Sequence, residues 1–232
     1  MQVTPNTTEQ VTTSTLKPVK KRRLINTFNA ALALCCILGF GGLTTTAQAI
    51  TLPELQQTLS SQPLVRGDFA QTRKMEMFDA PLTSQGHFLL AEQHGLLWQQ
   101  ATPFPVSLVL TKDKLSQQFG DQAAQVMSAS DNPMVFYFSH IFLSLFKGDT
   151  RQLTEQFNLT LSDKSDGRWQ LLLTPKAAPL NAVFKAIALD GKTFIDHLIL
   201  TEVRGDQTTI TFSNQRTTPS DLTAEEQRAF QF

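Results

Sequence analysis

The residues with the widest chemical repertoire are few and scattered. Four histidines, His87, His94, His140 and His197, are the candidates for metal ligation or proton transfer. No two have the i, i+4 helical spacing of a ligand pair. His87 and His94 could face each other across a hairpin, a weak basis for a metal site, so none is expected. The acidic residues sit in turns and at strand ends, where a solvated carboxylate is the simpler reading. The sequence contains no Gly-x-Ser-x-Gly, His-Glu-x-x-His, phosphate-binding glycine loop or dinucleotide glycine pattern. Arg66-Gly67-Asp68 and Arg204-Gly205-Asp206 both spell an adhesion tripeptide. The first falls inside an expected strand, and the second in a hairpin turn that needs Gly and Asp anyway, so both read as coincidence. Neither catalysis nor a cofactor is expected.

The two cysteines, Cys35 and Cys36, lie in a segment that reads as a leader. Lys17, Lys20, Lys21, Arg22 and Arg23 precede an apolar run from Leu24 through Leu43, followed by Ala47-Gln48-Ala49. These are the basic, apolar and small-x-small parts of a secretory signal. Asn26, Thr27 and Asn29 leave the strongly apolar part short of the ~20 residues a spanning helix needs. Leu34 stands where a lipid-modification site requires a small residue before Cys35. The expectation is a leader over 1–49, cleavage after Ala49 and a soluble, cysteine-free periplasmic domain over 50–232. Such a chain has neither disulfide nor thiol nucleophile.

Five of the 20 basic and one of the 20 acidic residues fall in 1–49, so 50–232 carries 15 and 19 and a net charge near −4. That excludes a basic stripe for nucleic acid and a polybasic patch for anionic lipid. Aromatic usage is more informative: 17 Phe, of which 15 follow Ala49, against 2 Trp and 1 Tyr. Phe brings no polar handle that must be paired on burial. The interior is therefore very apolar, either as a solid Phe-rich core or around an apolar cavity.

The elements that must form that interior are legible. Thr51-Leu52-Pro53-Glu54 is a capping box with an early Pro, opening a short helix to about Leu59. Alternation and turn signals predict strands over 64–78, 86–91, 96–98, 106–111 and 115–119. Asp131-Asn132-Pro133 predicts a helix start and Gly148 its stop. Between them, residues 134–147 are apolar except for a stripe of His140, Ser144 and Lys147, with Ser139 beside it. Such a helix is covered on most sides, as core or as a cover over an apolar opening. Further strands follow over 157–162, 168–174, 183–189, 194–204 and 207–214, with Asp166-Gly167, Asp190-Gly191 and Gly205-Asp206 as hairpin turns. Thr223 and Glu226 have capping-box spacing for a last short helix. About ten strands, few helices and no βαβ pattern indicate a mainly β fold, a large antiparallel sheet that is curled or barrel-like.

In this order of elements, Phe69-Ala70-Gln71, Gly86-His87-Phe88, Leu96-Leu97-Trp98, Leu173-Thr174-Pro175-Lys176 and Asp190-Gly191 resemble the LolA-type periplasmic outer-membrane lipoprotein carriers over most of 51–214. The resemblance implies an unclosed β-barrel lidded by short α-helices, which shelters acylated cargo and does no chemistry. It implies a lipoprotein or glycolipid cargo, an inner-membrane donor complex, an outer-membrane acceptor and a monomeric carrier. A non-transport lipid-binding or envelope-sensing role on the same fold remains the alternative. Cavity candidates are Phe69, Phe88, Leu90, Trp98, Leu108, Leu110 and Phe119, with alternation grouping them by face without saying which face is inward. Met134, Phe138, Ile141, Phe142 and Leu145 form the expected cargo-facing side of the 134–147 helix. The family's lid-latching Arg is replaced, in the match from Gly86 to Trp98, by Glu92.

Overall fold

The computed structural model describes residues 49–232; the leader expected over 1–48 lies outside them. The chain opens with α1 (Leu52–Ser60), started by the capping box: the Thr51 amide donates to Glu54 Oε2 at 2.8 Å, and the Glu54 amide to Thr51 Oγ1 at 3.4 Å. Leu55 and Leu59 are buried on its apolar stripe.

Six strands follow: β1 (Leu64–Lys74), β2 (Leu82–Ala91), β3 (Gly95–Thr102), β4 (Val106–Leu110), β5 (Lys114–Phe119) and β6 (Gln125–Ser128). Then come α2 (Pro133–Lys147) and α3 (Thr150–Gln156). The second meander is β7 (Phe157–Lys164), β8 (Arg168–Pro175), the short α4 (Leu180–Val183), β9 (Phe184–Gly191), β10 (Ile195–Glu202) and β11 (Gln207–Arg216). The last helix is α5 (Ala224–Ala229).

All eleven strands join one antiparallel sheet in the order β6-β5-β4-β3-β2-β1-β11-β10-β9-β8-β7. The sheet does not close, because β6 and β7 are its two edges. The chain passes from one edge to the other through α2 and α3, so these helices bridge the two margins. The expectation of a curled, unclosed antiparallel sheet with helices holds. Three elements had no sequence signal: β6, α3 and α4. The first expected strand ends at Lys74 rather than Phe78, because the chain turns at Met75, where the Phe78 amide donates to the Met75 carbonyl.

Alternation divides the sheet into two apolar faces. On the inner side, Val65, Phe69, Phe88, Leu90, Leu96, Leu110, Leu115, Leu171, Leu173, Ile187, Leu189, Leu198, Ile210 and Phe212 pack with α1, α2 and α3. Trp169, 1% exposed, satisfies its indole by donating to the Lys192 carbonyl at 2.9 Å, as a buried Trp must. Gly67 keeps this face open for an aromatic ring: a Cβ there would come within 2.7 Å of the Phe88 ring.

On the outer side, Leu64, Leu89, Ala91, Leu97 and Val109 form a smaller buried cluster under Leu222, Ala229, Phe230 and Phe232 of the C-terminal segment. Arg66 reaches out on this face and is 5% exposed. Its guanidinium donates to Glu226 through Nε (2.6 Å) and Nη2 (2.7 Å), and to the carbonyls of Pro219 (2.7 Å) and Asp221 (2.9 Å). Arg66-Gly67-Asp68 thus has its arginine buried within the protein's own packing.

Candidate functional site

The inner face is not filled. A cavity of about 410 Å³ lies between the sheet and α2. The sheet contributes Leu96, Trp98, Leu108, Leu110 and Leu115 from the first meander, and Phe184, Ile187, Leu200 and Ile210 from the second. From α2 come Phe138, Ile141, Phe142 and Leu145. Polar groups are confined to Gln71, Arg73, Ser139 and Thr208.

Strand period 2 and helix spacing account for the convergence. Trp98 and Leu108 are direct cross-strand partners, as are Leu96 and Leu110, Leu110 and Leu115, Ile187 and Leu200, and Leu200 and Thr208. Phe138, Ile141, Phe142 and Leu145 recur at i, i+3, i+4 and i+7 and share one side of α2. Gly148, in the left-handed conformation at φ 61°, ends that helix, and a Cβ there would sit 3.0 Å from Leu59.

Seven expected lining residues surround the void: Trp98, Leu108, Leu110, Phe138, Ile141, Phe142 and Leu145. Phe69, Phe88 and Leu90 are on the same face but one layer behind. Phe69 stacks on Trp98 with ring centroids 3.6 Å apart, and Phe88 packs edge-on to Phe212 at 5.1 Å. This aromatic group backs the cavity wall. Phe119 and Met134 stand apart from the cavity. Phe119 is 44% exposed in a surface hollow beside Phe104, and Met134 is 53% exposed in the first turn of α2. Alternation assigns a side of the sheet but not a depth along the strand, so the last residue of β5 passes the end of the cavity.

Arg73, Leu96, Leu115, Phe184, Ile187, Leu200, Thr208 and Ile210 were missed. Most have the same alternation as the residues found. What singles them out is the joining of β1 to β11, which no local pattern shows.

Ionisable groups at the cavity pair off among themselves. Arg73 Nη2 lies 2.9 Å from Glu202 and 3.3 Å from Asp206. Among the described residues, no group of three or more His, Cys, Asp or Glu could hold a metal ion. His87 points outward to Asp68 at 2.6 Å, and His94, in the β2–β3 turn, lies against Phe230. The pair does not face across the hairpin, because the strand register sets His87 opposite Gln99. The Asn214 side chain, followed by His87, holds the Asp68 carboxyl below its ordinary range.

The polar stripe of α2 is tied to the protein. His140 Nε2 donates to the Lys112 carbonyl in the β4–β5 turn at 2.7 Å, and Ser144 Oγ donates to the His140 carbonyl at 2.8 Å. Ser144 is also 2.6 Å from Gln152 of α3. Glu92 lies in the β2–β3 turn, exposed, and its amide donates to the Pro63 carbonyl at 2.8 Å. Among the described residues no helix is long and apolar enough to cross a membrane.

Residues 60–231 match the family model described as outer membrane lipoprotein carrier protein LolA. No curated protein matches the chain. Among solved structures, a LolA superfamily protein from Nitrosomonas europaea is 10% identical, with 76% of this chain and 97% of that one covered and a TM-score of 0.41. A putative outer membrane lipoprotein-sorting protein domain from Vibrio parahaemolyticus is also 10% identical, over 78% and 97%, at 0.43. A DUF1329 family protein from Desulfovibrio piger is 11% identical over 77% and 95%, at 0.36. Identities this low carry no residue's role across.

Proposed function

This chain belongs to the LolA family of outer membrane lipoprotein carrier proteins, and on that premise we propose that it is a periplasmic carrier. It shelters the acyl chains of a lipoprotein or another lipid in the cavity and passes that cargo toward the outer membrane, without catalysis. The supporting observation is the apolar cavity of about 410 Å³ roofed by one side of α2. An acyl chain has on the order of fifteen methylenes, each worth ~0.8 kcal/mol on leaving water. Transit through an aqueous compartment therefore needs such a shelter.

In this reading α2 is the lid. Cargo replaces the contacts of Phe138, Ile141, Phe142 and Leu145 with the sheet, so opening and loading exchange one apolar contact for another. The bond from His140 to the Lys112 carbonyl takes the place of an arginine latch; Glu92 serves no such purpose. An inner-membrane donor delivers the cargo, an outer-membrane acceptor removes it, and the carrier acts as a monomer.

The leader over 1–49 is removed after Ala49. The Ile50 amide nitrogen supports that start, lying 3.0 and 3.2 Å from the two carboxylate oxygens of Asp163. Cleavage there sets a terminal ammonium beside a carboxylate. Intact mass from the native periplasm should begin at Ile50, and lipid mass spectrometry should find acylated cargo.

Two variants test the carrier. Leu108→Trp adds bulk where there is a void, so its melting temperature should stay close to wild type, whereas overpacking a solid core costs about 1–3 kcal/mol. Titration with a fluorescent acyl probe should show affinity at least about tenfold weaker. Phe142→Glu should leave the sheet folded and weaken binding, because a movable helix can turn the charge to water. Unfolding by Phe142→Glu would make α2 permanent core, and undiminished probe binding by Leu108→Trp would remove the cavity's role.

A further inference from the structure

The exposed large apolar side chains of this protein are concentrated at one end of the sheet. Strand pairing sets Lys74 opposite Gln207, Arg73 opposite Leu82, and Thr201 opposite both Gln207 and Ala186. It also sets Gln85 opposite Thr102. The β1–β2, β3–β4 and β10–β11 turns and the start of β9 therefore share one rim. That rim displays Met77, Phe78 and Leu82, then Phe104, then Val183 and Val203, with Met77 80% and Phe104 68% exposed. Apolar exposure gathered in this way marks an interaction site.

The display is held in place. The Glu76 amide donates to Asp206 Oδ1 at 3.1 Å, the Phe78 amide to the Met75 carbonyl at 3.1 Å, and the Val203 amide to the Val183 carbonyl at 2.9 Å. These bonds fix the β1–β2 turn against the β10–β11 hairpin and join that hairpin to the chain before β9. Burial of the apolar tips elsewhere in the protein is thereby prevented.

We propose that this rim docks on the surface of a lipid bilayer, with Met77, Phe78, Leu82 and Phe104 entering the interface. Three observations favour a bilayer over a protein. The tips come from separate turns and form neither a groove nor a continuous strand edge, and a fluid interface demands no shape complementarity. Charge at the rim is balanced: Lys74, Lys185 and Arg204 offset Glu76, Asp79 and Asp121, while Arg73 is shared by Glu202 and Asp206. Attraction to anionic lipid is therefore not the driving force, and the binding is apolar. The cavity lining also reaches this rim, at Arg73, Phe184, Leu200 and Thr208 near the ends of their strands. A chain leaving the bilayer there meets a second apolar medium, avoiding ~0.8 kcal/mol for each methylene it would otherwise expose.

The purpose of this docking rests on the carrier reading, but its test does not. Residues 50–232 are mixed with phosphatidylcholine vesicles, without any protein partner, and floated on a density gradient. Wild type should float with the vesicles, and 0.5 M salt, a concentration that screens charge within about 4 Å, should not release it. The triple variant Met77→Ser, Phe78→Ser, Phe104→Ser should partition at least about tenfold more weakly. Its melting temperature and its acyl-probe affinity without vesicles should be unchanged, since these side chains are outside core and cavity. Should the triple variant not fold, Met77→Ser and Phe104→Ser alone, on different turns, should each weaken flotation. Wild type left in solution, release by salt, or equal flotation of the variants overturns the proposal. Failed flotation with intact probe binding defeats the docking alone; failed probe binding defeats the carrier.

Discussion

On the outer face of the sheet, Leu64, Leu89, Ala91, Leu97 and Val109 lie under the C-terminal segment, which is fastened by the bidentate Arg66–Glu226 pair. On the inner face, a much larger apolar surface lies under α2, which leaves a cavity of about 410 Å³ and is tied at its polar stripe by neutral hydrogen bonds. Both are apolar patches of one sheet covered by a later segment of the chain. The outer cover has a buried charge with every partner supplied, and opening it strands that charge. The inner cover can part from the sheet without stranding any charge. A permanent seal and an openable roof thus differ less in apolar area than in the polar contacts that would be lost on opening.

The largest effect should come from breaking the outer fastening. Glu226→Ala leaves the Arg66 guanidinium buried without its carboxylate, a loss of about 3–5 kcal/mol. Thermal melting should show it, while acyl-probe binding by the protein that remains folded should match wild type. A drop confined to probe binding would reverse the roles given to the two faces.

Acid should act on the same pair. The bond from Arg66, opposed by burial and aided by Thr223, pulls the Glu226 carboxyl down to about 2 from 4.5. Its folded value lies below its unfolded one, so its contribution is complete above pH 4.5 and is lost as pH falls toward 2. That contribution is at most about 3 kcal/mol, less where solvent screens the pair. Chemical denaturation between pH 6 and 2 should lose this increment in wild type and not in Glu226→Gln.

The inner face should respond more mildly. His140→Ala removes the tie to the Lys112 carbonyl, worth about 1 kcal/mol. Probe dissociation should quicken about fivefold, with a melting temperature close to wild type. An unchanged off-rate would show that this bond does not restrain the roof. The smallest effect belongs to Asp163→Asn, which takes away the carboxylate beside Ile50: about 0.5 kcal/mol or less at this exposed site. Melting of the chain beginning at Ile50 would measure it.

Local signals in the sequence determined a good deal. The capping boxes at Thr51 and Thr223 start helices where the side chains satisfy the first amides, and Pro133 and Gly148 bound α2. Alternation gave the side of the sheet on which Phe69, Phe88, Trp98, Leu108 and Leu110 lie, because successive strand residues point to opposite faces. The helical period grouped Phe138, Ile141, Phe142 and Leu145. These features depend on neighbours a few positions away, and a sequence displays such neighbours.

Only the tertiary structure decided the rest. That β1 pairs with β11 brings Ile210 and Thr208 to the same void as Trp98, across more than a hundred positions. Depth along a strand separates Trp98, which lines the cavity, from Phe69 behind it and Phe119 beyond it. The outer face gave no hint of its cover: Arg66 reads as a surface residue until Glu226 and two carbonyls close around it. Whether an apolar run makes solid core or a cavity wall depends on how far apart the covering elements are held, and long-range pairing and packing set that distance.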